Sequence, residues 1–249
     1  MREGIREWLA PLRRTPLHPQ WFCFRDEVQW LRRASVAARG AVLDLGCGHQ
    51  RVRPYLDQAC RYIGLDYPRT AVDLYGSRPD VFADGRRLPF ADASLDTVLA
   101  LEVLEHIPDA EAAVAEAARV LKPSGAFIVS APFLYPEHDA PFDYQRWSLQ
   151  GLRALLERHG FEVLAIESRG SATETAALLT NLALARVTLD WLRRRHPLAI
   201  VALPLCVTLV PLLNVAGWLL GRLAGSDPGF MPFTCRAVAR RPGPGRMRL

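Results

Sequence analysis

The stretch Ala41-Val-Leu-Asp-Leu-Gly-Cys-Gly-His49 constrains this chain more than any other. An apolar run, interrupted only by Asp44, ends in two glycines one residue apart. Such a run reads as a buried strand entering a tight turn. Gly46 and Gly48 admit backbone angles, and a close ligand approach, that a side chain would block. In an open α/β sheet the turn lies outside the carboxyl end of the strand, where ligands bind. A second apolar run, Tyr62-Ile-Gly-Leu, ends in Asp66 about 20 residues on, the spacing of a carboxylate that grips a ribose.

Further blocks follow in order: Ala83-Asp-Gly-Arg-Arg-Leu-Pro-Phe90, Leu95-Asp-Thr-Val-Leu-Ala-Leu-Glu-Val-Leu-Glu-His-Ile107 and Arg119-Val-Leu-Lys-Pro-Ser-Gly125. Val42-Leu-Asp-Leu-Gly-Cys-Gly48 resembles motif I of the class I S-adenosylmethionine (SAM) dependent methyltransferases, type 11-like. Ile63-Gly-Leu-Asp66 resembles their ribose-binding acid, and the later blocks fit the same series over roughly residues 38–168, with a closing strand near the C-terminus. Gln50 stands where the family motif has a third small residue; this counts against a dinucleotide more than against SAM, which has no pyrophosphate to cradle. The resemblance implies an α/β fold: a Rossmann-like seven-stranded sheet of order 3-2-1-4-5-7-6 with strand 7 antiparallel. It implies SAM as cofactor, surrounded by Asp44, Gly46, Cys47, Gly48, Asp66, Tyr67, Asp84, Gly85 and Glu102. Asp84 would take the adenine amino group, although an Asp-Gly pair also makes a plain turn. Glu102, at the mouth of the fourth strand, is badly placed for a core and well placed for a ligand. Cys47 reads as a small packing residue rather than a nucleophile.

Ala131-Pro-Phe-Leu-Tyr-Pro-Glu-His-Asp-Ala-Pro-Phe-Asp-Tyr-Gln-Arg-Trp147 follows the fifth strand and can overhang the ligand. It resembles a subset of these enzymes with Pro-Phe-x-x-Pro-x-His, then Asp and Arg, before the next helix; matching makes His138, Asp143 and Arg146 site positions. Methyl transfer from a sulfonium needs an in-line nucleophile and no metal. A hydroxyl acceptor must lose a proton, for which histidine is a suitable base. His138, Asp143 and His106 are therefore the candidate catalytic residues, with Arg146 and Tyr144 toward the substrate and no metal ligands. Two blander readings stand beside this one: His106 as a turn histidine bonded to backbone, and the polar set as a loop tie.

The spacing predicts a helical cap over 1–40 (helices near 3–10 and 24–38), a core over 41–170, a hydrophobic helical insertion over 171–225, a final strand over 226–239 and a disordered basic tail over 240–249. Within the core it predicts a first helix beginning at 49–57, shortened by Pro54, a helix over 110–121, a fifth strand over 126–131 and a sixth over 161–167. The insertion is the anomaly. Pro197 to Gly221 is 25 residues without a charge, bracketed by Arg193-Arg-Arg195 and Arg222. That length passes for a membrane span. Pro197, Pro204 and Pro211 suit a kinked or re-entrant segment better. A single crossing would also strand the seventh strand on the far side, so a hairpin dipping into one leaflet beside the mouth of the site is expected.

The net charge of +5 is almost wholly arginine, Lys122 being the only lysine. Its clusters near both ends suit anionic surfaces. The Leu-Glu-Val-Leu-Glu-His sequence after the fourth strand is unlike the Asn/Asp-Pro-Pro-aromatic set of amino-methylating enzymes, so no nucleic-acid partner is expected. Five cysteines without a Cys-x-x-Cys pair point to a reducing compartment. No signal-peptide apolar region is evident, so the expected location is cytoplasmic, peripheral or monotopic at the inner membrane face. These features together predict O-methylation of a lipid-linked or amphipathic acceptor at a membrane surface. The alternatives are a soluble metabolite as acceptor, with the apolar hairpin as lid or homodimer face, and a non-catalytic SAM-binding or membrane scaffold.

Overall fold

Strands that lie between two others and are covered on both faces must be apolar throughout. Ala41–Leu45 (β1) is buried at every residue, and Leu95–Leu101 (β4) at five of seven. A computed structural model of the chain describes residues 10–225 and 229–243. In it these strands lie at the centre of a seven-stranded sheet of order β3-β2-β1-β4-β5-β7-β6, the order expected. The others are Arg61–Asp66 (β2), Val81–Phe82 (β3), Leu121–Pro132 (β5), Glu162–Arg169 (β6) and Thr234–Arg240 (β7). β1 to β5 pair in parallel, while β7 runs antiparallel between β5 and β6. Helices Glu27–Ala37 (α1), Ala110–Val120 (α2) and Leu149–Arg158 (α3) follow the predicted periodicity. Asp109 and Ser148 cap α2 and α3 by accepting the backbone N–H of Ala112 and Gly151. Val114, Ala117, Leu152, Leu155 and Leu156 join β1, β4 and β5 in one core.

Three local expectations are corrected. The helix expected to begin at 49–57 is reduced to a 3-10 turn at Arg53–Tyr55. Gln50 takes a left-handed φ of 54° and Pro54 brings no N–H, so two residues near the start resist helical continuation. The helix expected over 24–38 is split into a turn at Trp21–Phe24 and α1. β7 runs on to Arg240, and Arg241 is tied down after it: its N–H reaches the Gly125 carbonyl and its guanidinium the carbonyls of Arg119 and Leu121. The basic tail thus begins later than expected, and its remainder from 244 lies outside the described residues, as does the expected helix near 3–10.

The chain divides into two compact units: the sheet with its helices (residues 31–169 and 234 onward), and a helical unit of residues up to 30 with 170–233. The N-terminal segment therefore groups with the insertion. In the helical unit, Ala172–Arg193 (α4) opens with a capping box, Ser171 accepting from the Glu174 N–H and Glu174 from the Ser171 N–H. Ala199–Leu223 (α5) is one helix through Pro204 and Pro211, where the sequence suggested a kinked or re-entrant segment. α4 and α5 approach closely at Gly217, where an added Cβ would lie 2.9 Å from that of Ala177. The Asn181 amide donates to the Asn214 carbonyl oxygen across them, and the Asn214 amide donates to the carbonyls of Pro16 and His18. Arg25 pairs with Glu174 at 2.9 Å.

Candidate active site

The sheet sets three acids side by side at the carboxyl ends of its central strands. Gly46 follows β1 with φ 69°, and an added Cβ there would stand 2.1 Å from Val103 Cγ2. The N–H groups of Gly46 and Cys47 donate to the Leu65 carbonyl, closing the turn onto β2. Asp66 ends β2; its carboxylate accepts from the N–H of Gly48 at 2.9 Å and of Tyr67 at 2.7 Å, and from the Thr70 hydroxyl at 3.3 Å. Burial nevertheless raises its pKa. Asp44, inside β1, takes the Tyr62 hydroxyl at 2.7 Å. Burial pushes it up to about 7, with the charge of Asp66 adding to the shift and the Tyr62 hydrogen bond opposing it. Glu102 leaves β4 with a left-handed φ of 52°, a strained conformation for a residue with a side chain, and takes the Thr234 hydroxyl at 2.9 Å.

The other expected cofactor positions divide. Gly48 has open space where a Cβ would go, and Tyr67 is exposed. Cys47 is buried, and burial pushes its thiol up to about 12, as suits a packing residue. Gly85 is a packing glycine as well: an added Cβ would stand 3.0 Å from Ile107 Cδ1. Asp84 is gripped by Arg86, whose Nη2 lies 2.7 Å from Oδ2, and those hydrogen bonds lower its pKa. An adenine amino group would have to share Asp84 with that guanidinium.

The segment after β5 brings its polar side chains onto the turn after β4. Arg146 donates to both oxygens of Asp143 at 2.5 and 2.6 Å, and to the carbonyls of Tyr135, Pro136 and Gln145. Burial alone would raise the Asp143 carboxyl; the Arg146 hydrogen bonds and the His138 N–H outweigh it and hold Asp143 at about 2. The His138 ring stacks edge-on to His106 at 4.8 Å and to Tyr135 at 5.3 Å. His106 Nδ1 lies 2.6 Å from the Phe142 carbonyl; burial lowers its pKa, that hydrogen bond opposing. Tyr144 is exposed and its N–H donates to the Glu105 carbonyl. His138, Asp143, His106 and Arg146 are thus gathered together. Arg146 is largely spent on Asp143 and the loop, which makes it first a clamp on that segment.

The two groups of residues share one site. The Tyr75 hydroxyl donates to Asp139 at 2.6 Å, and Tyr75 meets His49 edge-on at 6.1 Å. Burial raises the Tyr75 pKa, and the charges of Asp139, Asp66 and Glu105 add to it. Gln50, Glu102 and Asp139, around this space, all hold positive φ. Sequence reasoning did not single out Glu105. It is wholly buried, neither carboxylate oxygen has a hydrogen-bond partner in another described residue, and Oε1 stands 3.7 Å from His106 Nε2. Burial raises its pKa well above the usual carboxylate range, with Glu102 adding to the shift. An acid in a 3-10 turn between Leu104 and His106 carries no periodic signal, so only the tertiary burial discloses it.

Residues 43–129 match a family model described as "Methyltransferase domain". A Mycolicibacterium smegmatis protein named "Probable S-adenosylmethionine-dependent methyltransferase" is 38% identical over 154 residues, 57% of this chain and 60% of that protein. A Mycobacterium tuberculosis protein of the same descriptive name is 35% identical over 59% of this chain and 57% of its own length. A fatty-acid O-methyltransferase of Mycolicibacterium smegmatis is 30% identical over 63% of this chain and 59% of its length. The chain thus spans about 60% of the curated relatives it matches. Among solved structures, the [4+2]-cyclase SpnF superposes with TM-score 0.56 at 20% identity, over 90% of this chain and 83% of that one. A structure of the Haloferax volcanii Trm112 methyltransferase activator in complex with a methyltransferase matches with TM-score 0.56 at 21% identity, over 98% of this chain and 100% of the matched one. These two establish the fold alone. Residues 43–129 thus carry a methyltransferase domain, and the strand order and the glycine turn facing Asp66 are like those of the class I SAM-dependent methyltransferases.

Proposed function

We propose that the chain transfers a methyl group from SAM to an oxygen of a lipid-linked or amphipathic acceptor at a membrane surface. The observation that carries the cofactor is the trio Asp44, Asp66 and Glu102 around the Gly46–Gly48 turn. An added Cβ at Gly48 would enter open space rather than protein, as a cradle for a ligand requires. Asp66 accepts three hydrogen bonds, two on Oδ1 and one on Oδ2, leaving Oδ2 an acceptor site for a ribose hydroxyl. Glu102 accepts one side-chain hydrogen bond and suits an ammonium group. Bound there, SAM supplies an activated methyl on a sulfonium. The chain's own part is to hold the acceptor oxygen in line and take its proton. Glu105, His106 and His138 are the groups gathered for that, with Asp143 and Arg146 fixing His138 and its loop.

The helical unit supports the acceptor class. α5 exposes Ile200 at 84%, Val207 and Leu212 at 64% and Leu223 at 83%, far more than scattered surface residues. It is 25 residues long and apolar enough to cross a membrane, yet only 11% of its most apolar window is buried. Across the inner face of the hairpin Thr173 donates to the Gly217 carbonyl and Asn181 to Asn214, which leaves the outer face for lipid or for a second protein surface. The fatty-acid O-methyltransferase among the relatives is compatible with an acyl acceptor. Two measurements test the reading. Calorimetric titration should detect S-adenosylhomocysteine, and Asp66→Ala should weaken it by about 1.5–3 kcal/mol, the worth of hydrogen bonds to a charged acceptor. Methyl-labelled SAM should then pass label to a lipid extract rather than to an aqueous metabolite extract. Label only in the aqueous extract would move the assignment to a soluble acceptor. Homocysteine-analogue binding without label in either would favour the scaffold.

A further inference from the structure

Glu105, His106 and His138 each present a nitrogen or oxygen atom to one space, all within 4.8 Å of one another. The hydrogen bonds behind the rings settle which nitrogens face it. His106 Nδ1 lies 2.6 Å from the Phe142 carbonyl, which can only accept, so Nδ1 carries the proton and Nε2 a lone pair. His138 Nδ1 stands 3.2 Å from both the Pro136 carbonyl and the Asp143 carboxylate, two acceptors again, which leaves Nε2 bare. A carbonyl or carboxylate holding the far nitrogen is the arrangement that orients metal-ligating histidines. Beside them lies the Glu105 carboxylate, 0% exposed, with no hydrogen bond from another described residue to either oxygen. A buried carboxylate is costly unless paired or on a cation. The neighbouring guanidinium of Arg146 is already bidentate on Asp143. Glu102 adds a further negative charge beside Glu105.

We propose that Glu105, His106 and His138 form a binding site for a divalent transition-metal cation. Two imidazoles and one carboxylate select a borderline ion of the zinc, cobalt, iron or manganese kind over calcium or magnesium, which prefer oxygen alone. Ligand atoms about 2.0–2.2 Å from one tetrahedral ion stand about 3.3–3.6 Å apart, so binding draws the widest pair together by about an ångström. The remaining coordination positions are open to water or to an acceptor hydroxyl, whose proton a bound cation makes easier to lose. That last use rests on the methyl-transfer reading; the site itself does not.

The test uses the full chain, freed of metal with a chelator and titrated with cobalt(II) chloride. Visible absorption should saturate at one cobalt per chain. Glu105→Gln and His138→Ala should each weaken uptake about 100-fold or more, and Asp143→Asn, which only orients His138, about 10-fold. Melting curves show whether each variant is folded. If the ligand variants do not fold, the wild type still decides: cobalt must protect His106 and His138 from diethyl pyrocarbonate, read by peptide mass spectrometry. No uptake, uptake unchanged in both folded ligand variants, or equal modification with and without cobalt overturns the site. Homocysteine-analogue calorimetry on the same samples keeps the readings apart. Cobalt binding without analogue binding sinks the cofactor assignment and leaves the site; the reverse sinks the site alone.

Discussion

At the scale of single residues, the two motif glycines serve different ends and should fail differently. Gly46 combines φ 69° with a Cβ direction 2.1 Å from Val103. Gly46→Ala should destabilise the chain by about 2–5 kcal/mol, left-handed strain plus overpacking. Gly48, at φ 45° with nothing within 4 Å, should cost only about 1–2 kcal/mol as alanine. Gly48→Ala should instead lower affinity for S-adenosylhomocysteine. Urea melts beside calorimetry check both, and equal stability losses would refute the division. Asp44 gives a pH prediction. Its pKa rises from the ordinary 3.8 to about 7 on folding, so the native state holds its proton longer than the unfolded chain. Stability therefore falls as pH climbs from about 4 to 7, by up to about 4 kcal/mol. Asp44→Asn keeps an acceptor for Tyr62 and cannot ionise. The variant should match wild type near pH 4 and melt higher at pH 8; parallel melting curves from pH 4 to 8 would contradict the shift.

At the scale of elements, the contacts of Asn214 tie the parts of the helical unit together. Asn214 takes the Asn181 amide and donates to two carbonyls of the N-terminal segment. Asn214→Ala leaves those groups without partners and should destabilise this unit by about 1–3 kcal/mol. Limited proteolysis should then cut faster within residues 12–20 while the sheet unit keeps its protection. Unchanged cleavage there would mean that apolar packing alone holds the segment. The same contact explains an element the sequence misplaced. The N-terminal segment reads as a cap on a generic methyltransferase core, yet its partner is an asparagine almost 200 positions later, which no local pattern signals.

At the scale of the whole molecule, the exposed α5 face with arginines at 193–195 and 222 predicts partition onto anionic vesicles. Four arginines at about 1 kcal/mol each would strengthen binding in low salt, and salt should screen that part but not the apolar part. Ile200→Glu with Leu212→Glu should lower vesicle co-sedimentation about tenfold or more and leave S-adenosylhomocysteine affinity unchanged. A full-length protein that stays monomeric without detergent and ignores vesicles would refute lipid contact. A dimer that dissociates with the double variant would reassign the face to a second copy.

Much of this molecule is written locally. The apolar runs 41–45 and 95–101 need burial on both faces, which calls for a parallel sheet; Gly46 and Gly48 can only sit in a turn; Asp66 follows at ribose spacing. The α2 and α3 helices and the two helices of the hairpin were legible because each depends on the period of a short segment, whereas the strand order followed from the resemblance of the ordered motif blocks to a known family. The sequence also gathered His138, Asp143 and Arg146 onto one loop, since they are near neighbours in the chain. Tertiary structure decided what depends on distant residues. It reduced the helix after β1 to one 3-10 turn, ran α5 through two prolines and continued β7 to Arg240, where pairing with β5 and β6 satisfies the backbone. It also closed the core over Glu105 and brought His138, from a separate loop, to that carboxylate and His106. Burial and solvation are properties of the packed whole, and no window of sequence contains them.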